Sequence, residues 1–176
     1  MKTLIQLTII GILLFFVCKD AESQPLPDYT FKSPAFNGSG YSSHVLTIEN
    51  QEHTRKEAAK KEIQAALDKI KSDVAELTGY PVENQEDFHF VKYNTDGEYK
   101  VHTDGKDRPK TALVYLNDGF VGGETEFPKL NTIIKPEIGK LVIWDNTLED
   151  GSSDPNSLHA GLPVIVGTKY IGVIWI

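Results

Sequence analysis

Residues 168–176 read TKYIGVIWI, and the choice of fold turns on that run. As a strand it sets Lys169, Ile171, Val173 and Trp175 on one face, and Tyr170, Gly172, Ile174 and Ile176 on the other. Both faces are mostly apolar, which is the pattern of an interior strand rather than one with a wet side. An ammonium there needs an anion, because burying it unpaired costs several kcal/mol. Lys169 therefore closes an internal salt bridge, sits at the strand's wet end, or meets a ligand that carries a carboxylate.

Upstream the same texture recurs. FHFVKY, YKVHTD, TALVYLN, ETEF, NTIIKP, KLVIW and LPVIV follow one another from Phe88, separated by Gly, Asp, Asn and Pro. Short strands at this spacing predict a mainly β domain, a sandwich or jelly roll. Before them lies one helix. Thr54 and Glu57 form a capping box, Ile63, Leu67, Ile70, Val74 and Leu77 make an apolar stripe, and Gly79 and Pro81 end it. The stripe predicts an amphipathic helix bracing one sheet. Residues 24–50, rich in Pro, Gly, Ser and Asn, read as an irregular lead-in with one strand at Val45–Ile48. The domain proper is expected over 51–176.

The chain opens MKTLIQLTIIGILLFFVCKDAESQ. Lys2, the apolar run Leu4 to Cys18 and the small residues around Ser23 have the form of a secretory signal peptide over residues 1–23. As a helix the run reaches only about 22 Å, short of a hydrocarbon core of about 30 Å. Cleavage after Ser23 would remove Cys18, the only cysteine, which excludes disulfides, thiol catalysis and zinc–thiolate sites from the mature chain. The expected location is the secretory pathway, either the endoplasmic reticulum lumen or outside the cell, with no membrane attachment after cleavage. The leader carries Lys2 and Lys19 against Asp20 and Glu22, so the net charge of −7 is unchanged. That balance argues against nucleic acid and anionic membrane surfaces as partners.

The strand read in YKVHTDG, residues 99–105, projects His102 and Asp104 from one face, with Thr103 opposite. Two polar residues on a wet strand are unremarkable by themselves. SLHAG, between two predicted strands, adds His159. Two histidines and one carboxylate on a β scaffold are the ligand set of non-haem Fe(II) oxygenases, which leaves coordination positions open. His44, His53 and His89 read as ordinary surface or core histidines.

Taken together, YNTDGEYKVHTD, RPKTALVYLND, GGETEFP, KPEIGKLVIWDN and SLHAGLPVIVGTKYIGVIWI resemble the catalytic core of the prolyl 4-hydroxylase family of Fe(II)- and 2-oxoglutarate-dependent dioxygenases. The resemblance covers about half the chain. It implies a double-stranded β-helix (jelly roll). It implies that His102, Asp104 and His159 hold iron, and that Lys169 pairs with the distal carboxylate of 2-oxoglutarate, helped by the hydroxyls of Tyr93 and Thr125. The keto acid end would chelate the metal, and O2 would bind beside it. Decarboxylation to succinate and CO2 would then drive hydroxylation of a nearby C–H, with ascorbate as the accompanying reductant. Tyr99, Arg108 and Trp175 match positions that line the family's peptide groove, and the implied substrate is a proline-containing peptide or protein taken by a monomer.

Tyr99 has the opposite parity to His102 in a regular strand, so its assignment requires a bulge. Only Gly105, Lys106 and Asp107 separate Asp104 from Arg108, where the family carries a longer loop. The sequence ends at Ile176, where family members commonly continue into a short tail, and the N-terminal portion is shorter than usual. All of these departures touch substrate capture. Two other functions fit the same residues: the same chemistry on another side chain, a free amino acid or a small molecule, and a jelly roll that binds without turnover. A nucleic-acid demethylase of the same superfamily is disfavoured by the acidity and the leader.

Overall fold

The computed structural model describes residues 5–8 and 41–176, with side chains from residue 56 onward. Two compact units make up the described chain: residues 70–176 together with the strand at 5–8, and the helical residues 41–69. The expected leader outside residues 5–8, the lead-in over 24–40, and the side chains of His44, His53 and Thr54 lie outside the described residues.

Helix α1 runs Tyr41–Thr78. This corrects the expected start at Thr54, the strand at Val45–Ile48 and the irregular reading of 41–50. The reason is visible in the chain, since no Gly or Pro falls between Gly40 and Gly79, so nothing interrupts the helix once it has begun. Gly79 stops it. Its φ of 75° is left-handed, and its N–H returns to the carbonyl of Ala75 at 2.9 Å, a glycine C-terminal closure. The apolar stripe is shorter than its spacing suggests. Ile70 and Val74 are buried, whereas Ile63 is 38% exposed. In the last turns the Gln85 amide donates to the carbonyl of Lys71 at 2.9 Å. No helix among the described residues is long and apolar enough to cross a membrane.

The strands are β1 (Ile5–Thr8), β2 (His89–Tyr93), β3 (Tyr99–His102), β4 (Lys110–Tyr115), β5 (Val121–Gly122), β6 (Thr125–Phe127), β7 (Thr132–Ile134), β8 (Lys140–Asp145), β9 (His159–Gly161), β10 (Val164–Val166) and β11 (Lys169–Trp175). They form a five-stranded sheet in the order β1-β8-β4-β11-β2, a four-stranded sheet β3-β9-β6-β7, and a ribbon of β5 and β10. All pairings are antiparallel, and the fold is the expected jelly roll. β1 lies inside the stretch expected as a leader and occupies the edge beside β8. β5 and β9 read VG and HAG and give little β signal in sequence, so His159, expected between two strands, in fact opens one.

β11 lies between β4 and β2, as its two apolar faces require. β4 and β8 are likewise buried on both faces. The core between the two main sheets joins Leu113, Tyr115, Val142, Trp144, Ile171 and Val173 of the large sheet with Phe127 and Ile134 of the small one. Burying such a set at about 25 cal/mol per Å² is the main force that closes the sheets on each other.

Candidate active site

Strand pairing brings the two histidines together. β3 and β9 run antiparallel with His102 directly opposite His159, and the ring centroids are 4.2 Å apart. β3 ends at His102, so Asp104 is not on the strand as expected but just past it. It is aimed by a different device: Thr111 on β4 donates its hydroxyl to Asp104 Oδ2 at 2.6 Å. The Asn146 amide in turn donates to Thr111 Oγ1 at 2.8 Å and to the carbonyl of Arg108 at 2.9 Å. Because the amide occupies Thr111 as a donor, the threonine's only proton is directed at the carboxylate.

His102 Nε2 lies 3.4 Å from Asp104 Oδ1, and His159 Nε2 lies 3.8 Å from Oδ2. All three ligand atoms fall within 4.8 Å of one another. Each histidine has its other nitrogen against a backbone carbonyl, His102 Nδ1 at 2.7 Å from Lys100 O and His159 Nδ1 at 2.8 Å from Ser157 O. A carbonyl only accepts, so Nδ1 carries the proton and Nε2 presents its lone pair to the centre. Three acceptors thus converge with no donor between them, which is an arrangement for a cation, and the N2O donor set suits Fe(II). Burial pushes the Asp104 carboxyl upward, but its polar contacts with His102, Thr111 and His159 outweigh it and leave its pKa below the usual value. Burial holds the His159 pKa down against the opposing pull of the Ser157 carbonyl and Asp104. Trp144 meets the His159 ring edge-on at 4.7 Å.

These residues line one cavity of about 370 Å³ together with Lys169, Thr125 and Tyr93. Lys169 is 2% exposed. Its Nζ donates to the carbonyl of Gly123 at 2.7 Å and lies 5.1 Å from the Tyr93 ring centroid and 5.6 Å from that of Tyr115. Among the described residues no carboxylate reaches it. Burial lowers its pKa to about 8, with Glu124 opposing from a distance. Of the readings open to this lysine, the internal salt bridge and the wet strand end are therefore not the ones realised. Gly123 is needed beside it, since its φ is 68° and a Cβ there would stand 3.1 Å from Lys169 Cδ. Thr125, 2% exposed, shares a 2.6 Å hydrogen bond with the hydroxyl of Tyr115, and burial pushes that phenol up to about 12. The Tyr93 pKa is also raised, by burial and then by Tyr99.

Tyr115, Thr111, Asn146 and Trp144 were not singled out in the sequence. Tyr115, Thr111 and Trp144 sit in apolar strand runs where a core role is the ordinary reading, Asn146 lies just past the end of β8, and only the inward parity of Thr111 and Tyr115 on β4 held a signal.

The mouth of the cavity holds Tyr99, Arg108 and Trp175. The β3–β9 register shifts between Tyr99 and His102. That irregularity turns Tyr99 to the His102 side, where the rings meet edge-on at 4.1 Å. Trp175 shares its inward face with Lys169, Ile171 and Val173, all of which line the cavity. Arg108 does not stand beside this indole but over it, 4.0 Å from the ring centroid, and it is held by Glu86.

Residues 88–176 match the family model of the 2OG-Fe(II) oxygenase superfamily. The chain belongs to that superfamily and, within it, to the prolyl 4-hydroxylase family. Prolyl 4-hydroxylase subunit alpha-1 of Gallus gallus is 31% identical over 124 residues, 62% of this chain and 24% of that protein. Subunit alpha-2 of the same species is 28% identical over 143 residues, 74% of this chain and 27% of that protein. The chain thus spans about a quarter of the length of these relatives. A crystal structure of a viral collagen prolyl hydroxylase from Paramecium bursaria Chlorella virus 1, in complex with 2OG, superposes with a TM-score of 0.52 at 31% identity, covering 62% of this chain and 70% of the viral one.

Proposed function

We propose that this chain is an Fe(II)- and 2-oxoglutarate-dependent dioxygenase that hydroxylates peptidyl proline to 4-hydroxyproline. The observation that carries this reading is Lys169, a buried ammonium that no carboxylate among the described residues reaches, in the same cavity as three converging metal-ligand atoms. His102 Nε2, His159 Nε2 and Asp104 would hold Fe(II). Lys169, with the hydroxyls of Thr125 and Tyr93, would take the distal carboxylate of 2-oxoglutarate. Bound together, iron and 2-oxoglutarate supply an O2-derived oxidant, with succinate and CO2 as co-products and ascorbate as supporting reductant.

The protein's own contribution is orientation and exclusion of water. The carbonyls of Lys100 and Ser157 keep the imidazoles in the tautomer that presents Nε2. Thr111 fixes the carboxylate plane. Val91, Leu113, Ile171 and Val173 give the cavity an apolar wall, so the Lys169 charge acts where water screens it little. Tyr99, Arg108 and Trp175 stand where a peptide would present its proline, and a proline-rich chain is already ordered as polyproline II before it binds. The leader-like residues 1–23 support action in the secretory pathway.

The test is mass spectrometry of proline-rich peptides incubated with the protein, Fe(II), 2-oxoglutarate and ascorbate. The expected result is a gain of one oxygen on proline with matching succinate. Succinate driven instead by a free amino acid or small molecule replaces the substrate, and no succinate under any condition leaves a binding protein.

A further inference from the structure

Glu86 lies outside every motif in the sequence, yet it organises the mouth of the cavity. Its carboxylate accepts from Arg108 Nε at 2.6 Å and from Nη2 at 3.0 Å. Its backbone N–H donates to the carbonyl of Trp175 at 2.8 Å. Arg108 lies over the Trp175 ring, His89 meets that ring edge-on at 4.7 Å, and His89 Nε2 is 3.9 Å from Glu86 Oε2. One residue therefore touches all three of the others.

The pair is not needed as a strut. Arg108 and Glu86 side chains are 36% and 40% exposed, and ion pairs that exposed contribute little to stability. Its effect on the charge of the mouth is larger. A free guanidinium stacked on an indole captures carboxylates, because its planar fork matches them. Here that fork is already filled, leaving the N–H groups turned away from Glu86 and no net charge. Donors of that kind suit a neutral acceptor such as a peptide carbonyl.

Building on the peptidyl-proline reading above, we infer that Glu86 is a specificity-determining residue: by neutralising Arg108 it makes the mouth read main-chain carbonyls and prevents selection for acidic residues beside the target proline. Glu86 acts through Arg108 and Trp175 and does not itself line the cavity.

The experiment compares wild type with Glu86→Gln, an isostere that can still accept from Arg108. Three proline-rich peptides would be offered, alike except for a neutral, an acidic or a basic residue flanking proline. kcat/KM for hydroxyproline would be measured at low and high salt, together with the KM for 2-oxoglutarate and the melting temperature. Wild type should favour neither charge. Glu86→Gln should favour the acidic peptide by about fivefold at low salt, the size of an exposed ion pair, and lose that preference at high salt. The double variant Glu86→Gln/Arg108→Gln should lose it at any salt, and the KM for 2-oxoglutarate should stay unchanged. A wild type that already prefers acidic peptides, or a Glu86→Gln that gains no charge preference while still hydroxylating proline, overturns the inference alone. Absence of hydroxyproline from every peptide in wild type, with succinate driven by a small molecule, overturns the peptide reading and takes the inference with it.

Discussion

Lys169 and Thr125, at the inner end of the cavity, are each 2% exposed and are held by Gly123 and Tyr115. Tyr99, at the mouth, is 53% exposed, and the Arg108 side chain is held by Glu86 and by stacking. The inner end is built from the buried first residues of β6 and β11, where each polar group has low-dielectric surroundings and few alternative partners. The mouth is built from a bulged strand, a turn of three residues after Asp104 and the far end of β11. A charge or hydrogen bond counts for more at the inner end than at the mouth because water competes less there. Substitutions should therefore be graded along the cavity, and that gradient can be broken.

The largest effect belongs to the metal ligands. Asp104→Ala should abolish both Fe(II) binding and succinate release without unfolding the protein, since it removes the only anion among three ligands. Thr111→Val, which removes the hydrogen bond to Asp104 and with it the acceptor of the Asn146 amide, should weaken metal affinity by about tenfold, the range seen when an outer-sphere partner is lost. Metal titration with a redox-inert ion such as Zn(II) and thermal melting would check both. Equal affinity in Thr111→Val and wild type would show that Asp104 needs no such support.

Next comes Lys169. Lys169→Ala should raise the KM for 2-oxoglutarate by about a hundredfold, as expected when one partner of a buried charge pair is lost, with Fe(II) affinity intact. Lys169→Arg should be a poor replacement. The pH dependence follows from the lowered pKa of about 8. Below that value the ammonium is charged and ready to pair. As pH rises through it, the charge is lost and 2-oxoglutarate binding to the free protein should weaken. In Lys169→Ala the same pH step should vanish. A 2-oxoglutarate KM that is flat across pH 7–9 in the wild type would mean that the lysine is not the anion's partner.

The smallest effect is expected at the mouth. Trp175→Ala should raise the peptide KM by about tenfold, in line with loss of a large aromatic contact, and leave the KM for 2-oxoglutarate near wild type. An equal rise in both would place Trp175 with the cavity wall, as part of the core it touches, and erase the distinction between the two ends.

How much of this was legible in the sequence differs along the same axis. The runs FHFVKY to KYIGVIWI mark β2, β3, β4, β6, β7, β8, β10 and β11 because each carries β-branched or aromatic side chains between turn residues. β5 and β9 read VG and HAG, with one such side chain between them, Val121. The helix was legible at its C-terminal end, where Gly79 stops it. It was misread at the other, where the capping pattern at Thr54 and Glu57 occurs inside a helix that continues for want of a breaker.

The sequence by itself determined the strand texture, the acidic balance, and the residue types and order of His102, Asp104, His159 and Lys169. Those follow from local composition and from a period of two. Only the tertiary structure decided that His102 faces His159 across β3 and β9, that Asp104 is aimed by Thr111 from β4, that a bulge turns Tyr99 inward, and that Glu86 closes on Arg108. The reason is range: periodicity reports which way a side chain points from its own strand, whereas registers, bulges and hydrogen bonds between distant residues are set only when the sheets pair and the core closes around them.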